Sequence, residues 1–190
     1  GLTSLGDYTF SGCTALKKAA IPSSVTYTGT GCFASCYSLE DVLFSLNCTS
    51  IEVDTFRGCT SLYNINIPSA VTSIGNSAFL GCSGLSGMYI PATVKEIGTD
   101  AVGKSYNIRN EAVETISGFG IHADKGSAAE KYAQSADISV KKFMIGDVND
   151  NGMIEGSDAT MALRMFTMQS GVKSEFNAYQ TAAADWNSDD

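Results

Sequence analysis

Twelve residues toward the C-terminus carry the densest run of metal-binding chemistry: Asp147-Val148-Asn149-Asp150-Asn151-Gly152-Met153-Ile154-Glu155-Gly156-Ser157-Asp158. A hard cation such as Ca²⁺ takes roughly six to eight oxygens, and a loop of this length offers them at positions 1, 3, 5, 7, 9 and 12. Those positions hold Asp147, Asn149, Asn151, the Met153 carbonyl, Glu155 (directly or through water) and Asp158. Gly152 falls at position 6, where such a loop turns sharply, and Ile154 at position 8 would anchor it to a core. Asp158 is shorter than the usual glutamate but still offers two oxygens. The other reading of the same run is an acidic Asx-turn loop without metal.

Elsewhere, reactive groups are sparse. The chain has one histidine, His122, one tryptophan, Trp186, and six cysteines. Cysteines in this number raise disulfides, a metal site or a nucleophile. However, Cys13, Cys36, Cys59 and Cys82 are evenly spaced, and Cys32 and Cys48 stand where other units carry Ala78 and Val71. Those are apolar positions, where a thiol acts as a small buried hydrophobe. Disulfides repeated along a ladder would strain every rung. A zinc site from Cys32 and Cys36 lacks a second pair at ligand spacing. His122 has no sequence-defined partner for a Cys–His nucleophile and is expected on a surface loop. No zinc-protease motif, nucleophile elbow or isolated carboxylate pair occurs, so the chain reads as a non-enzyme.

The elements that must carry these residues follow a 23-residue period, the interval from each of those four cysteines to the next. Phe10, Phe33, Phe56 and Phe79 keep it, as do Leu16, Leu39, Leu62 and Leu85. Ile21, Phe44, Ile67 and Ile90 mark strand-like ends, three of them followed by Pro22, Pro68 and Pro91. A fifth unit begins at Ile90 and places Val102 at the Phe position. One such unit cannot bury its apolar positions alone, so stacking into a solenoid is required. Alternation puts Met88 and Ile90 inward, as a strand demands. Residues 71–75 are expected to turn the chain, and residues 78–82 to form a short helical turn that tucks Phe79 inward. Lys18, Ala20, Asp41, Leu43, Asn64, Asn66, Gly87 and Tyr89 are then outward, with Tyr89 as the evident aromatic anchor.

Residues 105–143 are expected to cap the open end of this stack, because exposed strand edges template aggregation. Ser127-Ala128-Ala129-Glu130 is a capping-box pattern opening a short helix, and Ile138-Ser139-Val140 reads as a last strand. Lys141-Lys142 reads as a solvated strand end. Beyond the cap, Asp158 to Phe166 fits a helix leaving the metal loop, whereas Ile138 to Ile145 reads as strand and linker. The acidic balance is uneven: residues 144–190 hold eight of the 20 acids but two of the 12 Lys and Arg. With a net charge of −8, nucleic acid is disfavoured as a partner, since phosphate binding needs a basic stripe. No apolar run reaches the roughly 18–20 residues of a membrane span. No signal peptide opens the chain, which begins inside a repeat and ends inside a second metal-loop pattern, so a longer parent protein is expected.

The repeats resemble the BspA-like leucine-rich repeats of bacterial surface proteins, whose unit Ile67-Pro68-Ser69-Ala70-Val71-Thr72-Ser73-Ile74-Gly75-Asn76-Ser77-Ala78-Phe79-Leu80-Gly81-Cys82 follows nearly position by position. The unit from Phe44 departs most, with Ser45 for Pro, Cys48 for Val, and Val53 at the Gly position. Gly146-Asp147-Val148-Asn149, the calcium loop and a single exit helix are similar to a dockerin, a small module that plugs secreted proteins into cohesin domains. Dockerins carry two such segments, and a second loop start stands at Asp185, Asn187 and Asp189, with Asp190 where Gly is usual. The resemblance implies Ca²⁺ as cofactor and cohesin contact through Gly156, Ser157, Leu163, Arg164 and Met168. Leu163 and Met168 also fit the module's own core.

Together the resemblances imply a mixed fold. A β-rich leucine-rich-repeat solenoid (1–104) and its cap (105–143) precede a small α-helical calcium-binding dockerin with F-hand loops (144–190, second half truncated). They imply a non-catalytic, secreted binding or adhesion protein. A scaffoldin or cell-surface anchoring protein would hold it through cohesin, as in a cellulosome. The repeat face would take a protein or polysaccharide ligand. The alternative is the C-terminal part of a cellulosomal hydrolase whose catalytic module lies outside this chain, with the repeats as a spacer.

Overall fold

The computed structural model describes residues 1–141, which make up the first of the chain's two compact units. Each repeat lays down two short strands. The first unit carries β1 (Ser4–Leu5) and β2 (Lys18–Ala20), the second β3 (Tyr27–Thr28) and β4 (Asp41–Leu43). The third carries β5 (Ser50–Ile51) and β6 (Asn64–Ile65), the fourth β7 (Ser73–Ile74) and β8 (Gly87–Tyr89), and β9 (Glu96–Ile97) opens the fifth. A hairpin, β10 (Lys104–Asn107) and β11 (Ala112–Thr115), then interrupts the pattern. After it come β12 (Gly120–His122), helix α1 (Ala128–Ser135) and β13 (Ser139–Lys141).

Within the sheets β1–β3, β2–β4–β6 and β5–β7–β9, strands from successive units pair in parallel with a constant offset. Lys18 faces Asp41 and Asp41 faces Asn64; Ser50 faces Ser73, which faces Glu96; Ser4 faces Tyr27. The period read from Phe, Cys and Leu is therefore the physical rung spacing of the solenoid. Residues 71–75 do not simply turn the chain, against the sequence expectation. Ser73–Ile74 is a strand paired on both sides, with Ile74 buried and Ser73 outward. The same register corrects the glycine position of the third unit: Glu52, not Val53, follows Ile51 opposite Gly75. A Cβ on Gly75 would come 2.5 Å from the Val53 nitrogen, so the fourth coil sits against the third with no room for a side chain there.

The core is a set of side-chain columns running along the stack. Phe10, Phe33, Phe56 and Phe79 stack ring on ring, with centroids 5.2, 5.5 and 5.2 Å apart and planes within 15°. Phe44 adds an edge contact to Phe56 at 6.0 Å. Leu39, Leu62 and Leu85 form a second column, and Ile67 and Ile90 continue a third. The short helical turn expected around Phe79 is present as a chain of tight turns, Leu80 N–H to Ser77 and Cys82 N–H to Phe79. Each unit also holds a left-handed residue at the same corner: Tyr8, Gly31, Asp54, Ser77 and Asp100, with φ between 51° and 59°. For the four that are not glycine this costs about 1 kcal/mol each. The inter-coil hydrogen bonds, such as Asp54 N–H to Asn76 O at 3.1 Å, hold the corner in place.

The cap follows the expected order with one insertion. The interval between Tyr89 and its ladder partner His122 exceeds one repeat, and the hairpin takes up the difference. Helix α1 packs against β9, β12 and β13, burying Ala129 and Ala133. Ser127 is its N-cap and accepts from Glu130 N–H at 3.2 Å, while the Glu130 carboxylate reaches back to Gly126 N–H at 2.6 Å. The Tyr132 hydroxyl accepts from Val102 N–H and donates to Val102 O, both at 3.0 Å, pinning the helix to the last regular coil. The final strand, Ser139–Lys141, pairs in parallel with β12. His122 is not on a surface loop: it lies in β12 and is 2% exposed. The continuing ladder claims its backbone, which sequence spacing could not reveal across the inserted hairpin.

Candidate functional site

The expected calcium ligands Asp147, Asn149, Asn151, Met153, Glu155 and Asp158 lie outside the described residues. So do the second loop start, Asp185, Asn187 and Asp189, and the cohesin-contact set Gly156, Ser157, Leu163, Arg164 and Met168. Among the described residues, no cluster of three or more His, Cys, Asp or Glu side chains could hold a metal ion. No described helix is long and apolar enough to cross a membrane.

The thiols sit in the core. Cys32, Cys36, Cys48, Cys59 and Cys82 are free and buried, and Cys13, on the first coil, is free and exposed. Burial pushes the Cys32 thiol up to about 11 and Cys59 up to about 12, and holds Cys82 well above the usual thiol range. A thiolate nucleophile or soft-metal ligand needs the opposite shift. The arrangement supports packing rather than chemistry.

What the described unit offers a partner is the outward face of its main ladder. Alternation along β2, β4, β6 and β8 sends Ala19, Val42, Ile65 and Met88 inward; Lys18, Asp41 and Asn64 form one outward column, and Gly87 holds the same place in β8, which pairs with β12. Ala20, Leu43, Asn66 and Tyr89 stand in a second outward column, as the sequence pattern proposed. In the cap its register runs on through His122, which is buried, and Lys141. Tyr89 is half-buried, and its phenol is raised by burial and by the nearby Asp124 carboxylate. Beside the face, Lys17 and Glu40 form an exposed ion pair at 3.9 Å, a contact of little energetic weight.

Two residues escape the sequence reading. Tyr37 and Tyr63 are 51% and 59% exposed at the corner that leads into the ladder strands. The Tyr37 carbonyl accepts from Ser61 N–H at 3.2 Å and from the Thr60 hydroxyl at 3.3 Å, while Tyr63 N–H donates to Glu40 O at 3.2 Å. These bonds place the two tyrosines on adjacent coils. The available signal is the even spacing of Tyr37, Tyr63 and Tyr89, each interval slightly longer than one repeat, which a search for the repeat period passes over.

Comparisons with known proteins fit this geometry. Residues 1–109 match the family described as BspA type leucine rich repeat region, in six copies. A leucine rich cell surface protein from Faecalibacterium prausnitzii is similar at 28% identity and a TM-score of 0.56, over 74% of this chain and 33% of that one. A leucine-rich repeat protein from Bacteroides ovatus is 35% identical over 51% of this chain and 25% of its own, at a TM-score of 0.50. The leucine rich repeat protein of T. pallidum is 31% identical over 53% of this chain and 47% of its own, at a TM-score of 0.52. The chain thus spans a quarter to about half the length of these relatives. Comparison with curated proteins gives no match. From its period, its paired coils and a family match over more than half its length, the chain belongs to the BspA-type leucine-rich repeat family.

Proposed function

We propose that this protein is a non-catalytic, extracellular binding protein. Its repeats present a ligand-binding face, and its C-terminal segment is a calcium-loaded dockerin that docks onto a cohesin of a scaffoldin or cell-surface anchor. The observation that supports the binding role best is the open outward face of the main ladder. Its strands form two parallel sheets, β2–β4–β6 and β8–β12–β13, and the regular coils among them bury one set of side chains and leave two columns for contact. The thiols beyond the first coil are buried, with Cys59 pushed up to about 12, and serve as packing groups. The similar protein of Faecalibacterium prausnitzii is a cell surface protein, which supports an extracellular setting.

The docking role rests on ligand spacing from Asp147 to Asp158. Calcium binding there is also folding, because the loop's carboxylates repel one another without the ion. In this reading Gly156 and Ser157 permit close approach, Leu163 and Met168 bury area, and Arg164 supplies a multidentate donor. The test is capture of the full chain on a panel of immobilised cohesins, in calcium and in EDTA. Capture by at least one cohesin in calcium, lost in EDTA, is the expected result. No capture on any cohesin, or capture indifferent to EDTA, overturns the docking role.

A further inference from the structure

Tyr37, Tyr63 and Tyr89 are evenly spaced, and each stands one coil on and three positions further along than the one before. They therefore cross three successive coils on a diagonal, from the exposed corner onto the ladder face. Tyr63 and Tyr89 lie on the third and fourth coils, whose ladder strands β6 and β8 fall in separate sheets. Asn64 stands in the outward column between these two tyrosines, and Gly87 keeps the surface low.

The charges around the stripe narrow the occupant. Lys18 faces Asp41 across the strand pair, and Lys17 pairs with Glu40, so the cations are offset. Asp124 adds a carboxylate next to Tyr89. Lys141, in register with His122 beside Tyr89, balances it, so cations and carboxylates alternate and a ligand of one charge sign meets no matching field. Tyrosine rings offer apolar faces with a hydroxyl at the tip, and amides and carboxylates accept from or donate to hydroxyls. A chain of uncharged, hydroxyl-bearing rings matches both. We infer that the Tyr37–Tyr63–Tyr89 stripe is a binding track for a neutral polysaccharide. The inference deepens the proposed ligand-binding role of the repeat face and rests on it.

Affinity electrophoresis of the full chain tests it, in native gels that contain a soluble β-glucan, a galactomannan or dextran, with dextran sulfate as the charged control. Retardation by at least one neutral polymer and none by dextran sulfate is expected. Tyr37→Ala and Tyr63→Ala remove exposed rings and leave the core intact, and each is expected to raise the dissociation constant about tenfold. Free migration in all three neutral polymers overturns the inference, as does retardation unchanged in the double variant. Cohesin capture by the same variants is expected to stay unaltered. If a defined protein ligand binds through these tyrosines while no polymer retards the chain, the glycan inference falls and the ligand-binding face stands.

Discussion

The Cys59 thiol lies 3.2 Å from the Phe33 carbonyl and donates to it. The contact recurs one coil either way, Cys36 to Phe10 at 3.1 Å and Cys82 to Phe56 at 3.1 Å. Each thiol thus ties the cysteine corner of one coil to the phenylalanine corner of the coil before. Each of these carbonyls already accepts from a backbone N–H, Phe33 O from Cys36 at 3.3 Å, so the thiol adds a second, weak donor while packing as a hydrophobe. The cysteine period is explained without invoking disulfides or metal.

Thiol reactivity should divide sharply in the folded protein. At pH 8 one equivalent, from exposed Cys13, is expected to react rapidly with a thiol-specific chromogenic disulfide, and all six once the chain is unfolded. Buried thiols held near 11 and 12 also make stability fall with alkali. The neutral thiol is favoured in the folded state, so this contribution is complete below the ordinary thiol value of 9.0 and is lost between pH 9 and about 12. Urea midpoints measured from pH 7 to 11 should be flat at first and then decline. A flat profile throughout contradicts the burial of these groups.

The phenylalanine column should show a position-dependent cost. Phe56 is fully buried between Phe33 and Phe79 and touches Phe44, so Phe56→Ala is expected to cost about 3–5 kcal/mol. Phe10, on the first coil and only partly buried, stacks on one neighbour, and its replacement should cost less than half as much. Urea denaturation of the two variants compares them directly.

Gly75→Ala and Gly12→Ala separate crowding from backbone strain. At Gly75 an added Cβ strikes the backbone of Val53 and Glu52 at 2.5 and 2.8 Å, so the coils must part, at an expected cost of about 2–3 kcal/mol. At Gly12 the space is open but φ is +72°, so the cost should be nearer about 1 kcal/mol. Equal losses in thermal melts would contradict the close approach at Gly75.

Calcium should act on one end of the chain alone. Asp147→Ala combined with Asp158→Ala is expected to abolish calcium binding by titration calorimetry and cohesin capture with it. The ultraviolet circular dichroism of the repeats, whose core lies within residues 1–141, should persist. Wild-type heat of binding in the double variant would refute the assigned ligands.

How far the sequence foretells the structure depends on which physical constraint speaks. Phe33, Cys59 and Leu62 are dictated by burial, and burial recurs every coil, so their period can be read directly. Strand β7 reads as a turn because two residues are too few to display alternation; its pairing on both sides, a tertiary effect, makes it a strand. The hairpin from Lys104 to Thr115 lies outside the repeat and leaves no periodic trace, and the placement of His122 is hidden for the same reason. Tyr63 goes unnoticed because exposed positions follow no packing period. The calcium-loop residues, from Asp147 to Asp158, remain a reading of ligand type and spacing.

The longer interval between Tyr89 and His122 has a practical corollary. Strand β12 still meets β8 in step after the detour, and the detour closes on itself through Asn107 and Glu114. Lengthening a closed loop costs only about 0.6 kcal/mol for each doubling. That elbow is therefore where a tag, fluorophore or foreign epitope can be spliced in without disturbing the architecture on either side.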